Sequence, residues 1–166
     1  MKGTTLAVLG PSLILALLAF GADRLHKYVQ LDVFGWTGGE YVYVTDFFDY
    51  VLVWNTGISY GLLGNIPFWA LALLVAAALI GLIIWWYRAD TALLRAGLGI
   101  AVGGALSNAF DRYKYGAVAD FFHFHWQTYS FYIFNLADAA ITLGVLLLIL
   151  DFVGIGRGKR SERIAA

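Results

Sequence analysis

Long apolar runs separated by short polar bursts dominate the chain. Residues 4–22 and 66–87 contain no charge, and Pro67 suits the first turn of a helix. Residues 91–110 carry one charge, Arg95, near enough to an end for its long side chain to reach lipid headgroups. Residues 133–153 are apolar except for Asn135, Asp138 and Asp151. About 20 mostly apolar residues cross the hydrocarbon core of a bilayer, so the pattern predicts four transmembrane helices. One intervening segment reads differently. VYVTDFFDYVLVW, residues 42–54, is rich in the β-branched and aromatic residues that favour strands. It predicts a small outward-facing sheet at the interface, where Trp and Tyr prefer to sit. Gly35, Gly38 and Gly39 before it read as turns that could hinge the 30–50 loop over a substrate.

Composition agrees with a membrane protein. Hydrophobic residues make up 61% of the 166 and charged ones 13%, against about 25% charged in soluble domains. The fold class expected is an all-α integral membrane protein with a small β-sheet, one domain over 1–166. Lys2, Arg88, Arg95, Arg157, Lys159, Arg160 and Arg163 fall on one side of the predicted spans, and Arg24, Lys27, Arg112 and Lys114 on the other. The positive-inside rule then places both termini in the cytoplasm and the loops 24–65 and 111–132 outside. The first span is too long for the apolar region of a cleaved signal peptide and is expected to be retained. The basic tail 157–166 reads as disordered. A net charge of zero gives no case for nucleic acid. The absence of cysteine removes disulfides, thiolate catalysis and Cys-ligated metals. No cofactor or metal is implied, the three histidines being thin support for a zinc site.

Polar residues cluster at one depth despite the cost of placing them in a membrane. SNAFDRYKYGAVADFFHFHW, residues 107–126, follows the third span. Asn108 and Asp111 are three apart at its outer end, and Asn135 and Asp138 are three apart at the outer start of the fourth, so each pair shares a helix face. Asp23 and Lys27 share a face at the outer end of the first span. Asn55 and Thr56 follow the predicted strand, and Asp120 lies in the connecting loop. Blander roles compete. Asn135 and Asp138 could be a helix cap and its first-turn acid, Asp111 and Arg112 a surface pair, Lys27 and Lys114 interface anchors, His123 and His125 wet interfacial residues.

Two converging aspartates can also share one proton. The ionised member then takes a proton from water while the other donates to the carbonyl under attack. No H-E-x-x-H or phosphate loop argues for another chemistry. From spacing alone, the matching Asn-x-x-Asp settings would pair Asp111 with Asp138. A proton- or ion-translocating protein is the main alternative and a scaffold a third, although the inner halves of the spans offer almost no polar path.

Four motifs in register resemble lipoprotein signal peptidase, the bacterial intramembrane aspartic peptidase family also called signal peptidase II. GGALSNAFDRYKYGAVADFF, 103–122, resembles that family's G-G-x-x-G-N-x-x-D-R followed by V-x-D-F. FNLADAAITLG, 134–144, is similar to F-N-x-A-D-S-x-I. NTGISYGLL, 55–63, resembles N-x-G-x-x-F, and DRLHK, 23–27, resembles D-x-x-x-K. Ser107, Ala139, Ile58 and Tyr60 depart from the usual pattern. The resemblance implies a catalytic pair of Asp120 and Asp138, with Asp111 holding structure beside Arg112. It implies that Asn108, Arg112 and Asn135 line the site, that Asn55 flanks the substrate, and that Asp23 and Lys27 support the outer edge. The implied partner is a prolipoprotein whose lipobox cysteine carries diacylglycerol, cut just before that cysteine by a monomer in contact with membrane lipid. The implied location is the bacterial cytoplasmic (inner) membrane, with the site near its periplasmic face.

Overall fold

The computed structural model describes residues 5–57 and 67–155. Residues 58–66, which hold Ile58, Tyr60 and most of the 55–63 motif, lie outside the described residues, as do Lys2 and the basic tail with Arg157, Lys159, Arg160 and Arg163.

The described chain is mostly helical, with one small antiparallel sheet. Helix α1 runs Thr5–Tyr28 and continues into a π-helical turn, Val29–Val33. Strands β1 (Tyr41–Thr45) and β2 (Phe48–Asn55) follow, then helices α2 (Phe68–Arg88) and α3 (Ala92–Tyr115). Strands β3 (Val118–Trp126) and β4 (Tyr129–Ser130) lead into helix α4 (Leu136–Phe152). By length and composition, Trp69–Arg88 and Ala92–Tyr115 can cross a membrane.

Two helices overrun their expected ends. Helix α1 passes residue 22 and α3 passes residue 110, because Asp23, Lys27 and Asp111 in those extra turns face protein partners and the helix need not stop for them to reach water. Each end has a local cause. Thr91 caps α3, its hydroxyl accepting from the Leu94 amide at 3.0 Å. Gly116 closes the helix at φ 73°, a left-handed position that glycine adopts without strain, and donates to the Arg112 carbonyl at 3.0 Å. The Thr91 hydroxyl also donates to the buried Asp151 of α4 at 2.5 Å. Thr91→Ala is expected to cost about 0.5–2 kcal/mol, the usual range for losing a cap, read as a lower thermal midpoint in detergent with cleavage retained.

Small residues set the helix spacing. A Cβ on Gly99 or Gly103 of α3 would meet the Ser12 or Ala16 carbonyl of α1. One on Gly104 would lie 2.5 Å from the Ala137 carbonyl of α4, and one on Gly97 2.9 Å from the Gly144 carbonyl. Helix α3 is thus the central helix, its backbone in direct contact with α1 and α4, a closeness that small residues permit.

Residues 42–54, expected to form a small sheet, lie in a hairpin, β1–β2, turning at Asp46–Phe47. The sheet order is β1-β2-β3-β4, so the 111–132 loop supplies half of it. Leu52, Ala119 and Phe121 form its buried centre, packed by Trp36, Tyr50 and Trp54. The sheet rests on the end of α1. The His26 ring meets Phe121 at 4.8 Å between centroids, and its Nε2 hydrogen-bonds the Tyr50 hydroxyl at 2.5 Å. The glycine-rich loop is tied down: Glu40 accepts from the Thr37 and Gly38 amides at 2.7 and 2.8 Å, and Trp54 Nε1 donates to the Thr37 carbonyl at 2.7 Å.

Candidate active site

Asp120 lies on β3, opposite Val53 of β2, in the part of the sheet nearest the helices. Its Oδ1 accepts from Asn135 Nδ2 at 2.7 Å and its Oδ2 from Asn55 Nδ2 at 3.1 Å. Asp138 is the third residue of α4. Its Oδ1 accepts from Asn108 Nδ2 at 2.8 Å and its Oδ2 from the Asn135 amide at 3.2 Å. Asn135 Oδ1 accepts from the Asp138 amide at 2.9 Å, which completes a capping box. One asparagine therefore touches both carboxylates, Asp120 through its side chain and Asp138 through its backbone. Asn135 Nδ2 is also 3.1 Å from Asn108 Oδ1, which ties the two amides together.

Both aspartates open on one cleft of about 240 Å³, shared with Asn55, Asn108, Arg112 and Tyr132. Val75, Ile133 and Ile141 supply an apolar wall. Burial, reinforced by the nearby charge of Asp138, pushes the Asp120 carboxyl up to about 7, against the opposing pull of the Asn55 and Asn135 amides. Arg112 Nη2 donates to the Gly57 carbonyl at 3.1 Å, which anchors the segment after β2 to α3.

A buried ionic cluster backs the cleft. Asp23, Lys27 and Asp111 are all at most 1% exposed. Lys27 Nζ lies 2.9 Å from Asp23 Oδ2 and 2.5 Å from Asp111 Oδ2, while Arg24 Nη2 is 2.7 Å from Asp111 Oδ1. Asp23 also accepts from the Ser107 hydroxyl at 2.6 Å and the Ala137 amide at 3.0 Å. Asp111 accepts from the Ala119 amide at 3.3 Å. Buried charges persist where partners saturate them, and this cluster holds two cations and two carboxylates.

Several blander sequence readings fail here. Lys27 is not an interface anchor, because its ammonium is enclosed by these partners. Asp111 is not a surface partner of Arg112, because it faces inward to Lys27 and Arg24. His123 and His125 are not simply wet; they stand beside Asp49, with nitrogens 3.5 and 2.9 Å from its Oδ2, away from the cleft. Lys114 is exposed, over the Tyr115 ring at 4.7 Å. The cap reading of Asn135 and Asp138 holds, but Asp138 also lines the cleft, and the fully buried Asn135 lies behind it, bonded to both carboxylates.

Comparison with known proteins decides the family. The model for Signal peptidase (SPase) II matches residues 15–154. The chain belongs to the signal peptidase II family. Among its relatives, the lipoprotein signal peptidase of Methylocella silvestris is 43% identical over 156 residues, covering 90% of this chain and 91% of the relative. That of Nitrobacter hamburgensis is 47% identical over 146 residues, covering 84% and 89%. A bacterial membrane enzyme solved by the in meso method at 2.3 Å resolution is similar with a TM-score of 0.77 and 25% identity, over 92% of this chain and 93% of that one. This signal peptidase II is a bacterial membrane protein and a hydrolase of peptide bonds. The ion-translocating and scaffold alternatives lose their footing with that membership.

The cleft gathers Asn55, Asn108, Arg112, Asp120 and Asp138; Asn135, expected to line it, is instead buried behind the two carboxylates, and the cluster farther back gathers Asp23, Lys27 and Asp111. Sequence reasoning missed Arg24, Tyr132 and the part played by Ser107. Ser107 had a usable signal: it lies four residues before Asp111 on α3, on the same face. Where the family pattern has glycine, its hydroxyl adds a donor to Asp23.

Proposed function

We propose that Asp120 and Asp138 are the catalytic pair with which this enzyme, which removes signal peptides from prolipoproteins, cuts the peptide bond just before a diacylglyceryl-modified cysteine. The observation that carries the reading is the shared cleft: two carboxylates from different elements, joined through Asn135, with no other acidic side chain lining it among the described residues.

The two settings suggest a division of labour. Asp138 accepts two N–H bonds at the first turn of α4, where the helix dipole favours an anion. Asp120 sits at about 7, so near neutral pH it holds a proton. Asp138 is the base that removes a proton from the attacking water, and Asp120 donates its proton to the carbonyl oxygen of the scissile bond. Collapse of the tetrahedral intermediate breaks the C–N bond. The proton taken by Asp138 passes to the leaving amine, and Asp120 regains the proton of the new carboxyl group. Arg112 and Asn55 flank the cleft where a substrate backbone would lie.

The wider reading has four spans in the cytoplasmic membrane, both termini inside, the cleft near the periplasmic face, and a monomer with its substrate's lipid left in the bilayer. The depth of the polar cluster and the charge bias of the loops support it. Cleavage of a purified diacylglyceryl prolipoprotein in detergent tests the chemistry, and absence of cleavage by folded enzyme would sink it. The pH profile is a second check. kcat/KM should fall about tenfold per unit above an apparent pKa near 7, as the shared proton is lost.

A further inference from the structure

We propose that Lys27 is a positioning residue for the peptidase: its ammonium fixes the Asn108 amide that faces Asp138, and its charge, placed behind the aspartate pair, favours the ionised form of that pair. The inference rests on the catalytic pair proposed above and assigns Lys27 a part in the reaction beyond bracing the fold.

The geometry leaves Lys27 little freedom. An ammonium has three N–H donors and no acceptor. Those of Lys27 meet Asp111 Oδ2 at 2.5 Å, Asp23 Oδ2 at 2.9 Å and Asn108 Oδ1 at 3.4 Å. Asn108 Oδ1 receives a second donor, Asn135 Nδ2, at 3.1 Å. A flipped Asn108 amide would set its own NH2 against both donors. The amide is therefore locked with Nδ2 toward Asp138 Oδ1, at 2.8 Å. One polar relay runs from the Lys27 ammonium through Asn108 to Asp138, and a branch through Asn135 reaches Asp120.

Charge gives the second half of the argument. Lys27 and Arg24 balance Asp23 and Asp111. Loss of Lys27 leaves the cluster one unit negative, directly behind two more carboxylates. Added negative charge makes a carboxylate harder to ionise. Consistently, Lys27 pulls the Asp120 carboxyl downward, against the larger upward push of burial and of Asp138. The other charged or titratable groups around Lys27 are Arg24 and His26 on α1, Arg112 on α3, Asp120 on β3, Asp138 on α4, and Asp32 and Lys114 at the outer surface.

The test is the pH dependence of cleavage of a purified diacylglyceryl prolipoprotein by the full-length enzyme in detergent. Lys27→Met should lower kcat at least about tenfold, leave KM within about threefold, and move the alkaline limb up by about one unit. Asp111→Asn removes a negative charge from the same cluster and should move that limb down. Lys27→Arg keeps the charge and should leave the limb near wild type. A limb that stays in place in both Lys27→Met and Asp111→Asn, or moves the same way in both, overturns the proposal. If Lys27→Met does not fold, Asp111→Asn decides alone: a downward shift supports the proposal and no shift overturns it. A folded Asp120→Asn that still cleaves, or a wild type with no alkaline limb, brings down the catalytic pair instead.

Discussion

Asp120→Asn and Asp138→Asn each give a folded enzyme whose cleavage of a lipid-modified precursor falls by about 10²–10⁴-fold, the range for losing a general acid or base. Asparagine can still accept one of the hydrogen bonds now made from Asn55, Asn108 or Asn135, so the local framework survives. What disappears is the exchangeable proton. The Asp120 variant carries a second expectation that separates chemistry from folding. The folded carboxyl sits at about 7 against an ordinary 3.8. The folded chain thus keeps a proton that the unfolded chain releases. The stability from this group is complete below about pH 4 and is lost as pH rises to about 7. Asparagine does not titrate. The thermal midpoint of Asp120→Asn should therefore gain on wild type between pH 4 and pH 8. An Asp120→Asn enzyme that cuts within tenfold of wild type would hand the catalytic role to another carboxylate.

Gly103→Val abolishes the folded state rather than the chemistry. A Cβ at 103 would run into the Ala16 carbonyl of α1, and a backbone atom cannot step aside as a flexible side chain can. Overpacking a core costs about 1–3 kcal/mol. A branched side chain forced between two helix backbones should exceed that and separate α1 from α3. Gly10→Ala, Gly21→Ala and Gly81→Ala are the controls, since nothing lies within 4 Å of a Cβ there. Those three should unfold at or slightly above the wild-type temperature, because alanine favours a helix over glycine by roughly 1 kcal/mol. Thermal unfolding in detergent reads both sets, and a Gly103→Val protein as stable as the controls would contradict the packing described.

Much of the scaffold was legible in the chain. The apolar runs marked the helices, while the small residues at 97, 99, 103 and 104 are where α3 meets its neighbours. The sheet was half legible. Residues 42–54 carried strand composition, but Val118–Trp126 mixes charge and aromatics and becomes a strand only by pairing with β2. The paired asparagines and aspartates pointed to a candidate site, but spacing alone favoured Asp111 over Asp120 as the partner of Asp138. That choice depends on depth: Asp111 turns inward to two cations, whereas the register of β3 against β2 lets Asp120 reach the cleft. Long-range ionic partners such as Arg24 with Asp111 leave no local trace, because neither residue's neighbours in sequence predict the other.

One carboxylate, Asp23, receives the Ser107 hydroxyl from α3, the Lys27 ammonium of its own helix and the Ala137 amide at the start of α4. That convergence acts as an assembly interlock. The three helices must reach a common depth before Asp23 is satisfied, and the same alignment brings Asn108, Asp120 and Asp138 together. Until α1, α3 and α4 have met, the chain carries both acids but not the cleft that holds them together.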